Sequence, residues 1–252
     1  MPTVIIDPGH GGMDPGAVYK GRQEKDDNLR LALAVGELLS QNGVDVLYTR
    51  TDDVYDSPYR KAMIANESGA DYLISFHRNA SPIAGNASGI ETLVYADRGV
   101  AAQMARDINR ELAALGFRDI GVIERPGLAV LRRSRMPAVL IETGFIDNDA
   151  DNLKFDEEFE EIAAAISNGI LETLKNEGQL PDSISSASYP TEISNNTQNE
   201  RPPSPLSDNT PASKLYRVQV GAFKNRNYAY ELNSQLTEEG FPAFILMDGD
   251  LY

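Results

Sequence analysis

The 252-residue chain contains no cysteine and no tryptophan, and only two histidines. Without cysteine there is no disulfide framework, no thiolate zinc site and no cysteine nucleophile, and redox compartment leaves no mark on the sequence. Basic residues are in deficit: 23 Lys and Arg stand against 38 Asp and Glu, for a formal net charge of -15. Phosphate binding needs clustered Lys and Arg, so this balance argues against nucleic acid and against docking on anionic membrane. Long apolar runs are missing as well. No stretch approaches the roughly 20 residues of a membrane span, and MPTVIIDPGH lacks the charged and apolar regions of a signal peptide. Neither membrane insertion nor an export signal is therefore expected. The 41% hydrophobic fraction and the length suit one domain of ordinary size plus a small second module.

From residue 1 to 177, apolar strand-like runs alternate with helical periodicity. The runs are TVIID (3 to 7), DVLYTR (45 to 50), DYLISF (71 to 76), ETLVYA (91 to 96) and AVLIE (138 to 142). This alternation predicts an α/β domain with a mostly parallel sheet flanked by helices. One helix is predicted from Asp26 to Asn42, carrying Leu31, Val35, Leu38 and Leu39, and another from about Glu157 to Asn176. The acidic residues Asp156, Glu157 and Glu158 would form the first turn of the latter and complement its dipole. Gly43, Gly69, Gly116 and Gly178 stand where helices should end. Residues 178–213 turn to Ser, Thr, Asn and Pro, the composition of a flexible linker. Residues 214–252 then read as a small α+β module: a strand LYRVQVGAF, a helix Asn227 to Glu239 and a strand FPAFILM. Leu215-Tyr216 recurs as Leu251-Tyr252, as if a second repeat were starting.

Both histidines follow strand-like runs, His10 after TVIIDPG and His77 after DYLISF. Loops at the carboxyl edge of an α/β sheet converge on a crevice, and neutral imidazole is the commonest transition-metal ligand. A carboxylate would complete the set. Glu24 lies at the start of the first helix, in a cluster with Lys25, Asp26 and Asp27, and is either the completing ligand or solvated helix-start charge; Glu142 stands at the end of AVLI, where a carboxylate risks burial and is rarely kept without a partner. Two imidazoles and Glu24 leave a tetrahedral zinc one open position, as in catalytic and not structural sites. Zinc lowers the pKa of water from near 16 to about 7 and polarises a carbonyl, and Glu142 is left free to move the proton. That chemistry is amide hydrolysis without a covalent intermediate. Asp7 and Asp14 are expected to shape the Gly9-to-Gly16 loop through turn hydrogen bonds. The loop's order, G-H-G-G-M-D-P-G, fits neither the dinucleotide nor the phosphate-loop spacing. Arg50, Arg132, Arg133 and Arg135 are candidates either for substrate carboxylates or for structural pairing.

The residues IIDPGHGGMDPGA, QEKDDNL, TR at 49 to 50, SFHRNA and VLRRSRMPAVLIETGFIDN, with their spacing, resemble the zinc-dependent N-acetylmuramoyl-L-alanine amidases of the bacterial cell wall, the amidase-3 type. The resemblance runs from Val4 to about Leu174. It implies His10, Glu24 and His77 as zinc ligands, Glu142 as the catalytic carboxylate and peptidoglycan as partner; Asn79 matches the family pattern and, with Arg132 from the arginine candidates, is expected to contact substrate, and the chain is expected to be a monomer. Arg78 departs from the small or apolar residue usual after the family's second histidine, a change expected to bear on substrate contacts and not on ligation. LYRVQVGAFKNRNYAYELNSQLTEEGFPAFIL resembles the first half of a SPOR domain, a peptidoglycan-binding repeat. Synthesis in the cytoplasm and action on the wall after release or lysis would account for the absent export signal. Two other readings compete: another zinc hydrolase of wall peptide or sugar, and a non-catalytic wall-binding regulator.

Overall fold

The computed structural model describes residues 1–183 and 186–188. The module expected at 214–252, and most of the expected linker, lie outside the described residues.

Six strands form one sheet: β1 (Thr3–Pro8), β4 (Asp45–Tyr48), β5 (Tyr72–Asn79), β6 (Ile90–Val94), β7 (Asp119–Glu124) and β8 (Ala138–Phe145). Their order across the sheet is β4-β1-β5-β8-β6-β7. Every neighbouring pair is parallel except β6 with β8, so the expected mostly parallel sheet is present. A short hairpin, β2 (Val18–Tyr19) with β3 (Arg22–Gln23), stands apart.

Helices cover both faces, which is why the strands read as nearly continuous apolar runs. On one face α1 (Glu24–Gln41), α3 (Gly99–Ala114) and α6 (Phe159–Asn176) bury Leu31, Val35, Ile108 and Ile166 against Val4, Ile6, Ile74 and Ile141. On the other, α2 (Pro58–Ser68) and α4 (Ala129–Arg133) bring Ala65, Val130 and Leu131 against Ile5, Leu73 and Leu140. The helix-ending glycines fall as expected, with Gly43, Gly69, Gly116 and Gly178 all at positive φ.

Four expectations are corrected. Strands β5 and β8 run three residues beyond their predicted ends, because each keeps pairing with the other past His77 and Glu142. Strand β7 was not expected; Gly121, at φ 117, interrupts its apolar run. The helix predicted from about Glu157 to Asn176 is present as α6 from Phe159, but its first turn carries Glu160 and Glu161, because a preceding helix, α5 (Asp149–Glu157), takes up Asp156 and Glu157 and Glu158 breaks away between the two at φ -114, ψ 30. Asp156 closes α5 and binds the Arg22 guanidinium through both oxygens at 2.8 Å instead of opening a helix. The folded body also continues into the expected linker: Leu180 and Ala187 are buried in the main core, and Ala187 donates to the Asn168 side chain at 2.6 Å. None of the described helices is long and apolar enough to cross a membrane.

Candidate active site

Glu24 opens α1 at the carboxyl edge of β1 and β5, and its carboxylate lies between the two imidazoles. Oε2 is 3.1 Å from His10 Nε2, and Oε1 is 2.9 Å from His77 Nδ1. The backbone amides of Ala17 and Arg78 and the Asn28 amide donate to the same carboxylate, so it is held from several sides. Ligand atoms of His10, Glu24 and His77 all lie within 4.8 Å of one another. His10 Nδ1 faces Asp14 Oδ2 at 2.9 Å, a contact that directs Nε2 into the cluster. Close packing demands glycine here. A Cβ on Gly9 would stand 2.4 Å from the His77 ring and 2.7 Å from the Phe76 carbonyl, and one on Gly16 would stand 2.5 Å from Glu24 Oε2.

His10 itself takes a left-handed backbone, φ 59, which costs a non-glycine residue on the order of 1–3 kcal/mol. Two buried cations hold that turn. Lys61 Nζ donates to the carbonyls of Pro8 and His10, and Arg50 donates to those of Pro8 and Gly9. Arg50 is therefore a structural clamp, one of the two roles its sequence left open. Asp7 was expected to form turn bonds. It instead lies buried among Thr49 Oγ1 (2.6 Å), Ser75 Oγ (2.7 Å) and Lys61 (3.2 Å), because strand alternation points it under the loop. Asp14 does make the expected turn bond, from the Gly16 amide, in addition to its contact with His10.

Glu142 is the register partner of His77 on the adjacent strand and is flanked on its other side by Glu91. Its Oε2 is buried and has no hydrogen-bond partner among the described residues. Burial, with the neighbouring Glu24 and Glu91 carboxylates, pushes its pKa up to about 7 against the opposing pull of His77. The folded chain resists ionising Glu142, so stability of the metal-free protein falls as pH rises from 4.5 through 7. Glu142→Gln is expected to leave metal-free stability unchanged near pH 4 and to raise it by up to about 3 kcal/mol near pH 8, read by urea unfolding at both values.

Burial acts to lower the pKa of His10, but Glu24 and Asp14 outweigh it and hold His10 up at about 9. A metal must displace that proton. Zinc loading near pH 7.5 is expected to release a proton from His10, and this release should vanish above about pH 9. Calorimetry in buffers of different ionisation enthalpy measures it; heats independent of buffer would contradict it.

Asn79 lies two residues beyond His77 and donates to Glu91 Oε1 at 2.9 Å, next to Glu142. Arg132 is not brought to this site. It lies exposed on α4, which precedes β8, and bonds the Gly127 carbonyl at the opposite end of that strand. Arg78 also turns away, because alternation along β5 sends it to the α1 face. There it is buried, pairs with Asp27 and Asn152 Oδ1, and covers the Phe155 ring. The expected effect of Arg78 on substrate contacts thus finds no support in its side-chain position, while its backbone amide helps hold Glu24. Sequence reasoning missed Lys61, Glu91 and the backing of His10 by Asp14.

The fold and the site define an α/β domain that converges two imidazoles and a carboxylate on one point, beside a second carboxylate with a raised pKa. The sequence profile described as N-acetylmuramoyl-L-alanine amidase matches residues 4–172, and the SPOR domain profile matches residues 212–252. The chain belongs to the N-acetylmuramoyl-L-alanine amidase family. It is 34% identical to the N-acetylmuramoyl-L-alanine amidase CwlM of Bacillus licheniformis over 252 residues, covering 98% of this chain and 85% of that protein. Identity to the sporulation-specific N-acetylmuramoyl-L-alanine amidase of Bacillus subtilis is also 34%, over 253 residues, with the same coverage. Among solved structures, an N-acetylmuramoyl-L-alanine amidase of Clostridium difficile 630 superposes with TM-score 0.67 at 37% identity, covering 70% of this chain and 98% of the other.

Proposed function

We propose that the chain hydrolyses the amide joining N-acetylmuramic acid to the L-alanine of the peptidoglycan stem peptide, with His10, Glu24 and His77 holding zinc and Glu142 moving the proton. The observation that carries this reading is the Glu24 carboxylate set between both imidazoles, with Glu142 in register beside His77. The donor set, two nitrogens and a carboxylate, suits zinc with a position to spare. When bound, zinc supplies Lewis acidity toward the scissile carbonyl and toward water.

The remaining work falls to the chain. Asp14 fixes the tautomer of His10, while the Ala17 and Arg78 amides fix the direction of Glu24. Glu142 takes a proton from the attacking water at its unpartnered carboxylate and delivers it to the leaving nitrogen as the C–N bond breaks and the new C–O bond stands. A pKa near 7 suits a group that must accept and then donate. All four groups come from one chain, so a monomer suffices. Catalysis is assigned to a body reaching at least Ala187, and wall binding to residues 214–252, joined by the Ser, Thr, Asn and Pro-rich segment.

The test is metal exchange on a soluble N-acetylmuramoyl-peptide. Chelation should abolish turnover, and one equivalent of zinc should restore it. Turnover that survives complete removal of metal would sink the zinc assignment.

A further inference from the structure

At the sheet edge opposite the His10 cluster, an open cleft of about 710 Å³ lies between the end of β6, the start of α3 and the connection from α4 to β8. It is opposite because Ala138, which opens β8, lines the cleft, while Glu142 lies farther along the same strand. Its walls mix two guanidinium groups, Arg98 and Arg132, with Tyr95, Val100, Leu131 and Met136. The chain as a whole carries -15, yet from Arg125 to Ile141 it has four arginines and no carboxylate. Arg98, Arg125, Arg132, Arg133 and Arg135 are all exposed and enter no ion pair among the described residues. Arg22, Arg78, Arg106 and Arg110 are each paired with a carboxylate. In a protein so rich in Asp and Glu, the two guanidinium groups that line this cleft, Arg98 and Arg132, meet no carboxylate, and this leaves donor N–H groups open to an outside anion. Helix α3 also starts at this cleft with no side-chain cap and no acidic residue in its first turn, which adds positive potential.

We infer that this cleft docks a peptide carboxylate of a neighbouring wall strand while the opposite edge of the sheet cleaves. The inference rests on the proposed function for the identity of the polymer. Both halves of the lining are used by such a ligand: the guanidinium groups take the carboxylate, and Tyr95, Val100 and Leu131 take the short alkyl groups beside it. A bare inorganic polyanion would leave those apolar walls unused. The local charge also gives a strongly acidic chain a favourable orientation on an anionic polymer.

The test uses the full chain carrying Glu142→Gln, so that the wall is not cut, and co-sedimentation with purified peptidoglycan in two forms. One form is native; in the other, carboxylates have been converted to methylamides. R98Q/R132Q is expected to weaken binding to native wall by about fivefold, the scale of two exposed ion-pair contacts. Amidation should weaken the parent by a similar factor and R98Q/R132Q hardly further. Binding through residues 214–252 is common to both proteins and cancels. Equal binding by the two proteins overturns the inference, and so does a loss in R98Q/R132Q that persists in full on amidated wall. A wild-type chain that releases L-alanine amino termini while both binding comparisons are flat overturns the inference and leaves the proposed function standing.

Discussion

Glu142→Gln is expected to keep zinc and to lose activity by roughly a thousandfold, within the range contributed by a positioned general acid–base. The two halves of that result have separate causes. Zinc is kept because the three candidate ligands are His10, Glu24 and His77, and Glu142 is not among the atoms that converge on one another. Activity is lost because glutamine cannot carry the proton from water to the leaving amine, although its shape and polarity fit the pocket. Metal analysis of the purified variant, beside kcat on a soluble muropeptide, reads both. Zinc lost to the same extent as in a His10 variant would make Glu142 a ligand.

His10→Ala should lose both zinc and activity. Removing an outer partner of a ligand commonly weakens metal binding by roughly 10- to 100-fold, so Asp14→Ala is expected in that range and His10→Ala beyond it. The turn around residue 10 adds to the loss, since Lys61 and Arg50 hold carbonyls whose positions suit the left-handed backbone at that residue. Competition with a chromophoric chelator gives the affinities. Comparable affinity in His10→Ala and the parent would remove His10 from the ligand set.

The candidate ligand residues were legible because metal chemistry favours few side-chain types, and only two histidines were available to supply it. Helix ends were legible for a similar reason: Gly43 and Gly69 occupy left-handed positions that glycine adopts most cheaply. Less local features were not. Strand β7 is split by Gly121, so its apolar run is too short to stand out. The end of α5 was not legible either: Asp156, in its last turn, pairs with Arg22, a partner 134 residues away in sequence. Lys61 looks like any exposed helix lysine until α2 packs beneath β1 and buries it. Arg132 lies ten residues before Glu142 in one continuous block, and that nearness misleads. A residue preceding a strand arrives at one edge of the sheet, while residues toward its end arrive at the other. Leu180 and Ala187 sit in a polar, proline-bearing segment, and only the tertiary core shows that they are buried.

The central claim is that this site cleaves one particular amide. End-group analysis of purified peptidoglycan, digested by the wild-type chain with and without a zinc chelator, tests it most directly. New L-alanine amino termini, no new reducing sugars, and loss of both digestion and product on chelation are the predicted result. New amino groups on glucosamine or on other stem residues would contradict the assigned bond, and no release from several wall types would contradict the assignment of catalysis.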